Sequence, residues 1–233
     1  MPARKPRTPR PPRKDRGDAP ESVHLAKEVV EELRATARPG KGEILVKVFA
    51  DAVTAFAAGD YTEAIRLGEQ AKHMALRAVG PREFLGLAYY SAGKFPEAAR
   101  ELAAFRRLSG STDQNPVLAD CYRAMGKPDK AIDYCNEVLG SSPPDIYFEA
   151  NIVAAGALTD QGRIDEAIAQ LERLELRPEV AEAYHVRAWY VLADLLERKG
   201  RFTQAREWFE AAAAADPEGT DADERALRLQ STR

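Results

Sequence analysis

The side chains suited to chemistry are few and scattered. Cys121 and Cys135 are the two thiols, and His24, His73 and His185 are the three imidazoles. No two histidines stand at metal-ligand spacing. The cysteines read either as a redox pair or as small buried hydrophobes. The second reading is favoured, because two thiols without a secretory leader make no disulfide framework. Gly40–Lys41–Gly42 contains the Gly-Lys pair of a phosphate loop. Such a loop needs Gly five residues earlier and Ser or Thr after the Lys, to cradle phosphate and metal. Ala35 and Gly42 stand there instead, and helix termination accounts for the glycines. The paired carboxylates Glu31–Glu32 and Asp165–Glu166 need a shared cleft and shifted proton affinities for acid–base work. On helix faces and first turns, acids instead favour the helix dipole and face solvent. No Ser, Thr or Cys has a recognisable base partner. The expectation is a chain that is not an enzyme, with no catalytic residue, no metal and no cofactor.

The elements that position the remaining side chains come next. The chain has 233 residues, 45% hydrophobic and 30% charged, with net charge −3. That length and composition suit a chain able to bury a core. Residues 1–20 are different: seven Lys/Arg against two Asp give +5, which leaves −8 on the rest. This segment is proline-rich, and Met1, Ala3 and Ala19 are its apolar residues. It is expected to be a disordered basic tail, since so little apolar surface cannot offset ordering entropy. No apolar core follows its basic residues, as a signal peptide requires. The most apolar stretch, 44–58, is interrupted by Lys47 and Asp51 and is too short to span a bilayer. A cytoplasmic protein with no membrane partner is expected.

Five segments share one pattern. Gly59, Gly93, Gly126, Gly162 and Gly200 recur at intervals of 34, 33, 36 and 38 residues. Two residues after each stands Tyr61, Phe95, Pro128, Ile164 or Phe202. Five after each stands Ala64, Ala98, Ala131, Ala167 or Ala205, and seven before each stands Ala52, Gly86, Ala119, Ala155 or Ala193. Apolar residues on both sides of each glycine follow helical spacing. Each unit therefore reads as a helical hairpin. The glycine supplies the left-handed turn, and the small residues let two helix axes approach closely. The longer intervals fall at 141–150 and 176–185, read as lengthened first helices or loops.

These units resemble the tetratricopeptide repeat. The fifth matches through Trp189, Leu192, Ala193, Leu196, Gly200, Phe202, Ala205, Phe209, Ala212 and Pro217. The second matches through Leu85, Gly86, Tyr89, Gly93, Phe95 and Ala98. Departures are Gly68 where the second helix usually has Phe, Phe105 where a small residue is usual, Pro128 at the aromatic position, and Asn151 at the Trp position. The resemblance implies an all-α, right-handed α-solenoid of about five hairpins with N- and C-terminal capping helices. The expected organisation is the basic tail at 1–20, a capping helix and turn at 21–42, the repeats at 43–217, and a polar C-terminal cap at 218–233, as solenoid ends require.

In this family the first helices line a concave groove. The resemblance places Val46, Phe49, Val53 and Phe56 there in the first unit, with the N-terminal helix expected to cover them. The partner-binding candidates are Glu83, Leu87 and Tyr90 in the second unit, Asp120 and Arg123 in the third, Ile152 in the fourth, and Tyr190, Asp194 and Arg198 in the fifth. Thr159, Asp160 and Glu197 are further groove positions. Relatives that clamp chaperone C-termini use Lys and Asn in the groove. Phe49, Val53, Glu83, Leu87, Pro116 and Asp120 occupy the matching positions, so that clamp is missing. The expected function is a scaffold or adaptor binding a protein or peptide segment, basic and apolar in character. The alternatives are a nucleic-acid-associated protein acting through residues 1–20 by counterion release, or a regulatory subunit of an enzyme.

Overall fold

The computed structural model describes residues 24–176 and 181–230; the tail at 1–20 and its expected disorder lie outside them. Among the described residues there are twelve α-helices and no strand. Helix α1 (Lys27–Thr36) leads into five helical pairs: α2 (Gly42–Ala57) with α3 (Tyr61–Met74), α4 (Gly80–Ser91) with α5 (Phe95–Ser109), α6 (Asn115–Ala124) with α7 (Pro128–Asn136), α8 (Pro144–Asp160) with α9 (Ile164–Glu172), and α10 (Ala183–Arg198) with α11 (Phe202–Ala215). Helix α12 (Ala222–Gln230) follows.

The hinge glycines produce the pairs. Gly93 has φ 73°, a conformation in which a Cβ is strained. Its N–H reaches Tyr90 O at 2.9 Å, and the next N–H, of Lys94, reaches back to Tyr89 O at 2.8 Å. Carbonyls at the end of α4 that have no helical partner are thereby satisfied, and the chain reverses. The same turn follows α2, α6, α8 and α10, at glycines with φ between 72° and 80°.

Beyond each turn the helices cross on small residues. Ala52, Ala64, Ala98, Ala119, Ala131, Ala155, Ala167, Ala193 and Ala205 are all 0% exposed. In the second hairpin the crossing residue is Gly86, where an added Cβ would stand 2.3 Å from Leu102 Cδ2. Larger residues fill the space around these contacts, with Leu85, Leu102, Leu118, Trp189 and Phe209 almost wholly buried.

The departures from the repeat pattern are accommodated locally. At Gly68, Leu85 Cδ2 and Phe84 Cε1 lie 2.9 and 3.0 Å from where a Cβ would stand. Side chains of α4 thus occupy the room left by the missing Phe. Asn151 is buried but satisfied: its Nδ2 donates to Tyr147 O at 2.7 Å, and its Oδ1 accepts from Gln170 Nε2 at 2.8 Å. The insertion at 141–150 lengthens α8 to 17 residues.

First helices of successive pairs touch one another: α2 with α4, α4 with α6, α6 with α8, and α8 with α10. Each second helix from α3 to α9 packs between its own partner and the first helix of the next pair. The first helices therefore adjoin one another along one side of the stack, its inner face. At one end, Leu33 of α1 joins Leu45 and Phe49 in a cluster, with Leu25, Val29, Val46 and Val53 packed against it. At the other, Ala222, Ala226 and Leu229 of α12 join the core of the last two pairs.

Candidate functional site

Three register positions recur on the inner face, ten, six and three residues before each hinge glycine. In the second hairpin they are Glu83, Leu87 and Tyr90, all partly exposed on α4. In the third, Asp120 and Arg123 project from α6. The Tyr90 hydroxyl donates to Asp120 Oδ2 at 2.6 Å. Arg123 Nη1 donates to Asp120 Oδ1 at 2.9 Å, and its Nε donates to Asp160 Oδ2 on α8 at 2.7 Å. One polar chain thus runs across α4, α6 and α8. It is extended at its edges by Gln114 donating to Glu83 at 2.9 Å and by Arg187 of α10 pairing with Glu149 of α8 at 2.8 Å.

Electrostatics follow from partial burial. Burial, reinforced by the Asp120 charge, pushes the Tyr90 phenol well above its ordinary range and keeps it a donor. Burial works against the Arg123 cation, but Asp160 and Asp120 outweigh it and hold its proton more firmly than usual. Burial raises Glu149, with Asp120 adding to the effect and Arg187 opposing it. Elsewhere in the third hairpin, burial pushes the Cys121 and Cys135 thiols up to about 12. Both are free and buried, and a thiol held protonated there is a poor nucleophile.

The two ends of the inner face are covered by the chain itself. Phe49 is 5% exposed within the cluster that α1 closes, and Phe56 packs against Phe84 and Tyr61. At the far end α12 lies across the fifth hairpin. Arg225 Nη2 donates to Asp194 at 2.9 Å, its Nε to Glu197 at 3.0 Å, and its Nη1 to the Tyr190 hydroxyl at 3.2 Å. Its guanidinium stands 4.3 Å from the centroid of the Phe209 ring. Tyr190 in turn donates to Asp221 at 2.6 Å, and Arg198 pairs with Asp194 at 2.8 Å.

The structure therefore divides the residues expected from the sequence. Glu83, Leu87, Tyr90, Asp120 and Arg123 share one open stretch. Tyr190 and Asp194 bind α12, while Arg198 is exposed beside them. Ile152 is 8% exposed and belongs to the core cluster with Leu158 and Val186. Its side chain serves packing, because α8 lies against α10 at this level. Glu149, Gly156, Arg187 and Arg225 are additions. Gly156 could have been found, since it stands six residues before its hinge glycine, where Asp120 stands in the preceding unit. Arg225 carried no such signal. A cleft of about 510 Å³ lies elsewhere, between α9 and α11, lined by Leu174, Leu176, Trp208 and Ala211 among others.

Comparison with known proteins gives a consistent picture. The tetratricopeptide repeat family model matches residues 85–146 and 152–220, more than half of the chain. The Vi polysaccharide export protein VexE of Salmonella typhi is 31% identical over 162 residues, covering 67% of this chain and 24% of VexE. The chain thus spans about a quarter of that relative's length. Among solved structures, the thermophilic repeat protein TTC0263 of Thermus thermophilus superposes with TM-score 0.59 at 19% identity, over 80% of this chain and 98% of that one. YrrB, described as a repeat protein with an unusual peptide-binding site, superposes with TM-score 0.53 at 17% identity, over 80% and 91%. At these identities the structural likeness concerns the fold.

Proposed function

The chain belongs to the tetratricopeptide repeat family, and on that premise we propose that it is a non-catalytic adaptor whose open inner face, from Glu83 to Asp160, holds an extended segment of a partner protein. Repeat proteins of this family are in general protein-interaction scaffolds, and the middle hairpins are where this chain leaves its inner face available. The observation that carries the reading is the polar chain Tyr90–Asp120–Arg123–Asp160. It fixes side chains from three successive hairpins in one arrangement, so little ordering remains to be done when a ligand arrives. Glu83, Asp120, Glu149 and Asp160 outnumber Arg123 and Arg187 there, and Leu87 adds apolar surface. A partner segment with basic and apolar residues is the complement. The setting proposed is the cytoplasm, where two unpaired thiols remain reduced.

The test is affinity capture with wild-type chain and with the Tyr90→Ala/Arg123→Ala double variant, after circular dichroism has verified equal helicity. A partner held by wild type and lost by the variant supports the reading. Equal capture by both overturns it and moves binding to another surface.

A further inference from the structure

The fifth hairpin already shows what this inner face does with an arginine. Arg225 enters between Tyr190, Asp194 and Glu197, the residues at the three inner-face register positions, and stacks on Phe209. The site combines two carboxylates for the fork of a guanidinium with aromatic surface for its flat side. The open stretch offers a related set two to three hairpins away: Glu83, Tyr90 and Asp120, with Tyr90 edge-on to Phe95. Four carboxylates stand there against two guanidiniums; these pair with Asp120, Asp160 and Glu149 and leave the stretch with a net negative charge.

The same chain contains a segment of the opposite character. Residues 1–20 carry Arg4, Lys5, Arg7, Arg10, Arg13, Lys14 and Arg16, spaced by prolines. The described fold begins at His24, and Leu25 and Val29 pack in the cluster with Val46, Phe49 and Val53. Phe49 and Val53 hold the register positions that Glu83 and Leu87 hold in the next hairpin. The described fold therefore begins beside the end of the open stretch. Its reach suffices: twenty residues in a polyproline-like course span about 60 Å, whereas three helices at 8–10 Å separation span roughly 30 Å. Proline also limits the conformational freedom that docking removes.

We propose that residues 1–20 of this chain are a ligand of its own inner face, received by Glu83, Tyr90, Asp120 and Glu149 as Arg225 is received at the fifth hairpin. The proposal rests on the reading of that face as a segment-binding groove, and it adds that a partner must displace the tail. Binding in the groove is then competitive from the outset. Rising salt frees the groove by screening the tail's charges.

The experiment uses the full chain with p-benzoylphenylalanine in place of Thr8, irradiated at low protein concentration and mapped by mass spectrometry. An equal mixture of light and heavy isotope chains reports whether links form within or between molecules. The expected result is intramolecular links to α4, α6 and α8. They should fall about fivefold in the Glu83→Lys/Glu149→Lys variant and decline with added salt. Links to the second helices, links between isotopically distinct chains, links to co-purified nucleic acid, or no links at all each overturn the proposal. If partner capture still depends on Tyr90 and Arg123 while these links are missing, the groove reading stands and the tail is not its ligand. If both fail, the groove reading fails with it.

Discussion

The guanidinium of Arg123 lies across Gly156: a Cβ added at residue 156 would stand 2.9 Å from Arg123 Cζ and Nη1. The contact joins the third and fourth hairpins. It is possible because the fourth hairpin has no side chain where the third has Asp120. Arg123 can then lie flat against α8 and reach Asp160 while keeping Asp120.

Gly156→Ala separates the shape of the groove from the stability of the fold. Alanine in a helix interior gains about 1 kcal/mol over glycine, and the displaced atoms belong to the far end of a flexible side chain. We expect a stability change within about 1 kcal/mol in urea unfolding. Partner affinity should fall, because Arg123 must leave α8. Gly156→Leu should expel Arg123 fully and weaken binding further. Unchanged binding by both variants would remove Arg123 from the site.

Gly86→Ala tests the close crossing in the second hairpin. The new methyl meets Leu102 Cδ2 at 2.3 Å and Cγ at 2.5 Å, so the whole leucine must move within a packed core. Overpacking of this kind costs about 1–3 kcal/mol, which should exceed the helix-propensity gain. Ala98→Trp, at a residue 0% exposed, should prevent the hairpin from forming. Calorimetry measures the first, and loss of helical dichroism the second.

Glu101 is 3% exposed and accepts from Lys72 and Arg82, each at 3.0 Å. It ties α3, α4 and α5 together. Glu101→Ala leaves Arg82 without its carboxylate and Lys72 with Glu69 as its remaining carboxylate. The expected loss is about 3 kcal/mol, read from the urea midpoint. Glu101→Gln should cost less, since it still accepts.

Glu149 supplies a pH dependence whose sign is opposite to that of an ordinary paired carboxylate. Burial raises its folded proton affinity above the unfolded value. Between those two values the native state binds more protons than the unfolded one, so its contribution to stability declines as pH rises through this window, above about 4.3. Replacing Glu149 with Gln should flatten stability against pH in that range. Parallel wild-type and Glu149→Gln curves would show that its environment is not the one described.

Arg225→Met should release α12. The variant removes the hydrogen bonds to Asp194, Glu197 and Tyr190, takes the cation from partly buried Glu197, and leaves Asp194 with Arg198 alone. A loss of about 2–4 kcal/mol is expected for removing one side of such a cluster. Amide exchange should rise first in α12 and only later in α11.

The fold was legible because one pattern repeats. Gly59, Gly93, Gly126, Gly162 and Gly200 announce left-handed turns, and all five have positive φ. The alanines at fixed offsets announce close crossings, and those positions are fully buried. Both features depend on backbone geometry, which repeats with the sequence. The inner face was legible only in its middle. Tyr90, Asp120 and Arg123 could be assigned by register. The same register assigned Ile152 to the groove, although the side chain packs into the core between α8 and α10. Arg225 lies in a short polar helix of unremarkable sequence, and its role arises from three residues about thirty positions away.

The capping of the stack by α12 also has a mechanical consequence. Each layer touches only its neighbours, so load applied at the C-terminal end is borne first by the last layer. There the holding contacts include the Arg225 guanidinium among carboxylates and two rings and the Tyr190–Asp221 hydrogen bond, together with Ala222, Ala226 and Leu229. The hairpins beneath are held mainly by buried apolar clusters and close crossings on small residues, which ionic strength barely touches. The force needed to peel α12 should therefore soften with salt, while the force needed to unravel the hairpins behind it should not. The molecule has one end that yields according to its ionic surroundings and a body that does not.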